Sequence, residues 1–205
     1  MMLSAEAEFI RRVAEIDEYV TYLEGLELST GFNVSLMNTM KSSALLMIYN
    51  VVESTMTNLL QDVFDHLQAN QVSFDSLNDK MKTLILSYSK RRNSATLVGK
   101  MSTSAMSLVV ACFERTDAFS GNLDCKKIKE TLKEVGVTSQ HSYSDKALQV
   151  VKSERNALAH GIKSFSDCGK HYSARQLRDM HLRVVTILER VIADFQQYLN
   201  ARDYA

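Results

Sequence analysis

Apolar residues recur at spacings of three and four along most of this chain, the signature of helices that bury one face. Residues 4–25, "SAEAEFIRRVAEIDEYVTYLEG", align Phe9, Val13, Ile16, Val20 and Leu23 and predict a helix ending near Gly25. The longest pattern runs roughly 34–69, with a stripe of Met37, Met40, Leu45, Ile48, Val52, Leu59, Val63 and Leu67. Its methionines (37, 40, 47 and 56) read as core filler. "SFDSLNDKMKTLILSYSKRR" predicts a helix that opens on a serine or aspartate cap and reaches about Ser89. "SLVVACFER" fits a short strand or a buried helix, and periodicity does not decide between them. "FSGNLD" is a turn. From Asp124, "DCKKIKETLKEVG" is a short amphipathic helix stopped by Gly136. "SYSDKALQVVKSERNALAHG" takes Ser142 or Ser144 as its cap and ends at Gly161. A last helix over about 173–202 buries Leu177, Met180, Val184, Ile187, Leu188, Val191 and Phe195.

The usual helix breakers are scarce, with no proline and seven glycines in 205 residues. An all-α, up-and-down bundle follows, as a single domain over 1–205 with a looser insertion at 71–122.

Charge narrows the function classes. The 24 basic residues balance 24 acidic ones, so the chain does not coat nucleic acid by bulk charge and needs a local patch to do so. Cys112, Cys125 and Cys168 are odd in number and far apart, which supports neither a disulfide framework nor a zinc site. The first twenty residues lack the apolar run of a signal peptide, and no stretch suits a membrane span. A cytoplasmic protein without metal or other cofactor is expected.

One motif carries chemistry. In "SERNALAHG", residues 153–161, four residues separate Arg155 from His160, and Gly161 follows. Eleven arginines and five histidines supply roughly a quarter of such a match by chance, so the bare spacing is weak. A looser match, Arg175 and His181, lies mid-helix and reads as surface. Arg155 differs in context: Asn156 follows it, "ALA" fills the gap, and His160 falls on the last turn, where the helix dipole favours a cationic imidazole. Five helical steps turn by about 140° and rise about 7.5 Å, so one chain does not aim both groups at one phosphate. Two copies about a two-fold axis can, which predicts a homodimer.

"RNALAHG" at the end of the penultimate helix resembles the Arg-x(4–6)-His signature of HEPN domains, in particular stand-alone prokaryotic ribonucleases of toxin–antitoxin and antiphage loci. The long helix "LLMIYNVVESTMTNLL", the "FSGNLD" turn before a helix closing at "EVGV", and the motif helix follow in the family's order; residues 71–115 have no counterpart. The resemblance implies a metal-independent RNA endonuclease, a toxin or antiphage effector, that cuts single-stranded or loop RNA such as tRNA. Arg155 would bind the scissile phosphate and His160 would transfer protons with the ribose 2′-hydroxyl, with Asn156 as a polar helper. Some members carry an acid on the long helix that orients the pair. Glu53 is the candidate, against the plainer reading of a solvated carboxylate on the helix flank; Glu154 has a weaker case. Ile162 occupies the place of the tyrosine that some family toxins carry as a modification site, so silencing there is not expected.

Lys90, Arg91 and Arg92, in "SKRRN", form the basic cluster apparent in the sequence and could grip an RNA backbone, against the plainer reading of a solvated loop. The other histidines (66, 141, 171, 181) lack ligand spacing. Two further readings stand beside the nuclease: an inactive HEPN-like module for dimerisation and nucleotide or partner binding, and a purely structural bundle. An antitoxin or sensor protein is an expected partner of the first.

Overall fold

The computed structural model describes residues 3–90, 113, 118–119, 121–139 and 141–205. The described residues form α-helices and one 3₁₀ turn: α1 (Ser4–Leu28), α2 (Val34–Ala69), the turn Phe74–Ser76, α3 (Asp79–Ser89), α4 (Cys125–Val135), α5 (Lys146–Ala159), α6 (Phe165–Gly169) and α7 (Ala174–Ala201). The all-α expectation holds.

Cross-contacts set the topology. Ser4 meets Asp62, Tyr19 donates to the Met40 carbonyl and Lys41 pairs with Glu27, so α2 runs antiparallel to α1. Ser42 donates to the Phe165 carbonyl at 2.6 Å, and Arg155 lies over the Tyr49 ring, so α5 runs against α2. Arg183 binds Asp145 near the start of α5, while Tyr172, just before α7, reaches Glu154 further along, so α7 runs against α5. It also runs against α1, since Arg178 pairs with Glu24 and Gln196 with Glu6. Helices α1, α2, α5 and α7 therefore alternate up and down, and α3 and α4 belong to the excursion between α2 and α5.

One apolar cluster fills the bundle. The α2 stripe is buried as its period requires, apart from half-buried Met40, and nearly all of the α7 set is buried, with Met180 half-exposed. Met37 and Met56 are core; Met40 and Met47 pack on its margin. An aromatic group extends the core at the far end of α2, where Phe113 stacks on Phe64 at 4.8 Å and Tyr88 meets both rings edge-on. Phe113 is the described residue of "SLVVACFER"; the choice between strand and helix for that segment lies outside the described residues, as do Arg91 and Arg92.

Several boundaries moved for local reasons. Gly25 does not stop α1, which continues to Leu28 because a glycine with open space around it can stay helical. Helix α3 opens on Asn78, whose side chain accepts from the Met81 amide at 3.0 Å, while Ser73 caps the preceding 3₁₀ turn. Helix α5 is capped by Asp145, not by either serine; a carboxylate both accepts from the Ala147 amide and complements the positive end of the dipole. Asp124 and Gly136 bound α4 as expected, with Gly136 left-handed at φ 96°. Ser173 and Gln176 form a capping box on α7. The short α6 was not anticipated. It sits against α2 so closely that a Cβ on Gly169 would lie 1.8 Å from the Asn38 carbonyl oxygen. Its five residues are too few to show a helical period.

His181 is a correction. It reads as surface in the sequence but is fully buried where α7 crosses α1. Its Nε2 lies 3.2 Å from Asp17 Oδ1, off hydrogen-bonding alignment, so neither ring nitrogen is satisfied. Burial holds its pKa below the usual histidine value, against the pull of Asp17. Among the described residues no helix is long and apolar enough to cross a membrane.

Candidate functional site

Helix α5 brings Arg155 against α2, and the loop after Phe119 closes over it. The guanidinium carbon lies 5.2 Å from the centre of the Tyr49 ring, a cation–π distance. On its other side is Gly121, buried and left-handed at φ 78°; a Cβ there would fall 2.3 Å from Arg155 Nη1. Nη1 also donates to Asn156 Oδ1 at 3.1 Å, and Asn156 Nδ2 donates to Asn122 Oδ1 at 3.3 Å. Arg155 is thus held between a phenol ring and a bare stretch of backbone.

Two side chains of α2 fasten that backbone. Glu53 Oε1 accepts from the Gly121 amide at 2.8 Å, and Tyr49 Oη accepts from the Leu123 amide at 2.9 Å. The positions are one helical turn apart and face the same way. Burial, opposed by the Leu123 bond, pushes the Tyr49 phenol up to about 12, so it stays neutral and offers Arg155 an uncharged ring face. Glu53 is therefore not the solvated flank carboxylate of the plainer reading: it is half-buried and committed to the loop.

No carboxylate among the described residues lies within ion-pair distance of Arg155. It is half-buried, donates to the neutral Asn156 Oδ1 and lies over the Tyr49 ring. Such a guanidinium is suited to an incoming anion.

His160 is placed differently. Helix α5 ends at Ala159, and His160 is the exposed C-cap residue, one step beyond the last turn on which its motif position puts it. Its side chain has no hydrogen-bond partner among the described residues. Gly161, at φ 66°, and the Ile162 and Lys163 amides, which both donate to the Ala157 carbonyl, turn the chain away. Glu154 braces this turn from behind. It pairs with Lys163 at 2.8 Å and accepts from Tyr172 at 3.1 Å and from the buried Cys168 thiol. Burial raises the Glu154 pKa, but these bonds outweigh it and hold the carboxyl below its usual value. Glu154 shapes the turn and does not face Arg155.

The structure therefore gathers Arg155, Asn156 and Glu53 around Gly121 and Asn122, with His160 at the solvent end of the same helix. Tyr49 and Gly121 were missed in the sequence. The signal available was Tyr49 one turn before Glu53 and the lone glycine of "FSGNLD", but nothing in the sequence joins them to Arg155. Lys90 is exposed at the C-cap of α3; Arg91 and Arg92 lie outside the described residues. Among the described residues no group of three or more histidine, cysteine, aspartate or glutamate side chains is placed to hold a metal.

No curated protein and no solved structure matches this chain. A family model does: that of the HEPN_MAE_28990-like HEPN domains aligns with residues 3–204. With the motif at the end of α5 and a match over nearly its whole length, this chain belongs to the HEPN family.

Proposed function

We propose that the chain is a metal-independent RNA endonuclease, a toxin or antiphage effector of the cytoplasm that works as a homodimer. The observation that carries this reading is Arg155, half-buried and with no carboxylate at ion-pair distance among the described residues, in a motif whose histidine is exposed. A guanidinium fork seated on neutral groups keeps its charge for a phosphodiester. An exposed imidazole at a helix C-terminus can take a proton from the nucleophile and give one to the leaving group. In the reaction, the ribose 2′-oxygen attacks the adjacent phosphorus as its proton passes to the base. The bond to the 5′-oxygen breaks, that oxygen takes up a proton, and a 2′,3′-cyclic phosphate remains. Arg155 neutralises the charge that develops on the phosphate oxygens. Arg155 points toward α2 and His160 toward solvent, so the two groups that meet on one phosphate come from different copies of the chain. An antitoxin or sensor protein would restrain such an activity.

The test is to incubate the purified chain with cellular RNA and compare it with Arg155→Ala and His160→Ala. Cleavage reduced on the order of a hundredfold or more in each variant is the expected result. Binding of RNA or nucleotide with no cleavage by the parent chain would replace the nuclease with a binding module.

A further inference from the structure

The cations that the fold gathers outside the motif are invisible as a cluster in the sequence. Two open grooves, of about 740 Å³ and 440 Å³, meet at Lys146 and Arg183. Lys126 and Lys129 of α4 line one, and Arg175 of α7 lines the other. We propose that this continuous groove is the track that binds the phosphate backbone of single-stranded RNA and that the exposed edge of α5 leads the strand to His160. The inference rests on the ribonuclease reading above and adds where the substrate lies.

Charge pairing supports it. The acids in the groove are already engaged: Asp145 binds Arg183 at 3.0 Å and caps α5, Asp179 faces Arg183 at 3.5 Å, and Asp124 binds Lys152 and caps α4. Lys129, Lys146 and Arg175 are exposed and have no ion pair among the described residues. In a chain with no net charge, three cations from three helices, around one groove and without an ion pair among the described residues, form a local positive field of the kind a polyanion follows.

Direction supports it as well. Lys146, Gln149, Ser153 and His160 are all exposed. Their spacing of three, four and seven residues puts them on one face of α5. At about 1.5 Å per residue, Lys146 and His160 stand about 21 Å apart along the helix, a length that several nucleotides of extended strand can bridge. No acidic residue interrupts that face. The Gln149 side-chain amide can donate to phosphate oxygens, and the short side chain of Ser153, whose hydroxyl donates to the Gln149 carbonyl at 2.9 Å, lets a backbone lie close.

The test uses the full chain in a His160→Ala background, so that bound RNA survives. Its probe is a fluorescein-labelled single-stranded RNA of about 16 nucleotides, read by anisotropy over a salt series. Replacing Lys129, Lys146 and Arg175 by alanine should weaken binding by tenfold or more and flatten the salt slope by about 2, from about 0.7 for each lost phosphate contact. A matched triple of Arg11→Ala, Lys80→Ala and Lys82→Ala, on other faces, should change neither, and thermal melts confirm that all the variants are folded. Binding by the parent that the groove triple leaves intact, or that both triples weaken equally, overturns the groove while the nuclease reading stands. A parent that does not bind the RNA even at low salt overturns both.

Discussion

Arg155 lies so close to Gly121 that any side chain at position 121 would occupy its place: a Cβ there falls 2.3 Å from Nη1 and 2.7 Å from Cζ and Nη2. The glycine is required twice over, by this contact and by its φ of 78°. The motif arginine is thus seated by a residue 34 positions earlier in the chain, which α2 in turn holds through Glu53 and Tyr49.

Gly121→Ala should therefore act on cleavage more than on folding. Displacing the guanidinium by an ångström or more should lower kcat/KM on the order of a hundredfold, whereas the left-handed alanine costs about 1 kcal/mol of stability. RNA cleavage assays beside thermal melts check this; unchanged cleavage would mean that Arg155 works from another position.

A mixed dimer tests how the site is shared. Arg155→Ala paired with His160→Ala keeps one arginine and one histidine on opposite subunits. Co-expressed with different tags and purified as the heterodimer, it should recover measurable cleavage that neither mutant homodimer has. If it stays at their level, the two groups act within one chain.

Cleavage should persist in excess EDTA and leave 2′,3′-cyclic phosphate or 3′-phosphate ends, because in the proposed reaction the nucleophile is the substrate's own hydroxyl. End-mapping of products with and without chelator reads this directly. Activity that stops on chelation and returns with magnesium would overturn the mechanism.

Stability should fall as the medium is acidified. Burial holds the pKa of His181 in the folded chain below its unfolded value, so between the two values the unfolded chain binds more protons. The contribution is intact above the unfolded value, about 6.5, and is lost as pH falls from there through the folded value. Burial lowers His66 too, and adds a change of the same sign. Melting temperatures should drop between about pH 7.5 and about pH 5.5, and His181→Leu should flatten that slope without abolishing it. A parent slope identical to that of His181→Leu would show that the buried ring does not titrate.

The start of α1 depends on α2. Leu3 offers no capping side chain, and the buried carboxylate of Asp62 instead accepts from the Ala5 amide at 2.9 Å and from the Ser4 hydroxyl. Asp62→Ala should cost about 2 kcal/mol in denaturant unfolding by leaving the buried amide unanswered. A change within a few tenths would mean that water replaces the carboxylate.

The sequence by itself determined the described helices other than the short α6, and the motif. Their apolar periods span many turns, so α2 was legible to the residue at both ends, and Arg155, Asn156 and His160 are near neighbours on one helix. It also showed that a five-residue step separates the arginine and histidine around α5, since helix geometry is local. What it left undetermined depends on distant parts of the chain. His181 has the polar neighbours of a surface position, and only the crossing of α7 over α1 buries it. Gly121 looks like any turn glycine until α5 is packed against α2 and the guanidinium occupies the space a Cβ would need. Glu53 could not be told from a solvated carboxylate because its partner, a backbone amide 68 residues away, leaves no mark in side-chain pattern. Lys129, Lys146 and Arg175 converge only once three helices dock. Periodicity records which face of a helix is dry, but not which other helix covers it, and the site is made of that pairing.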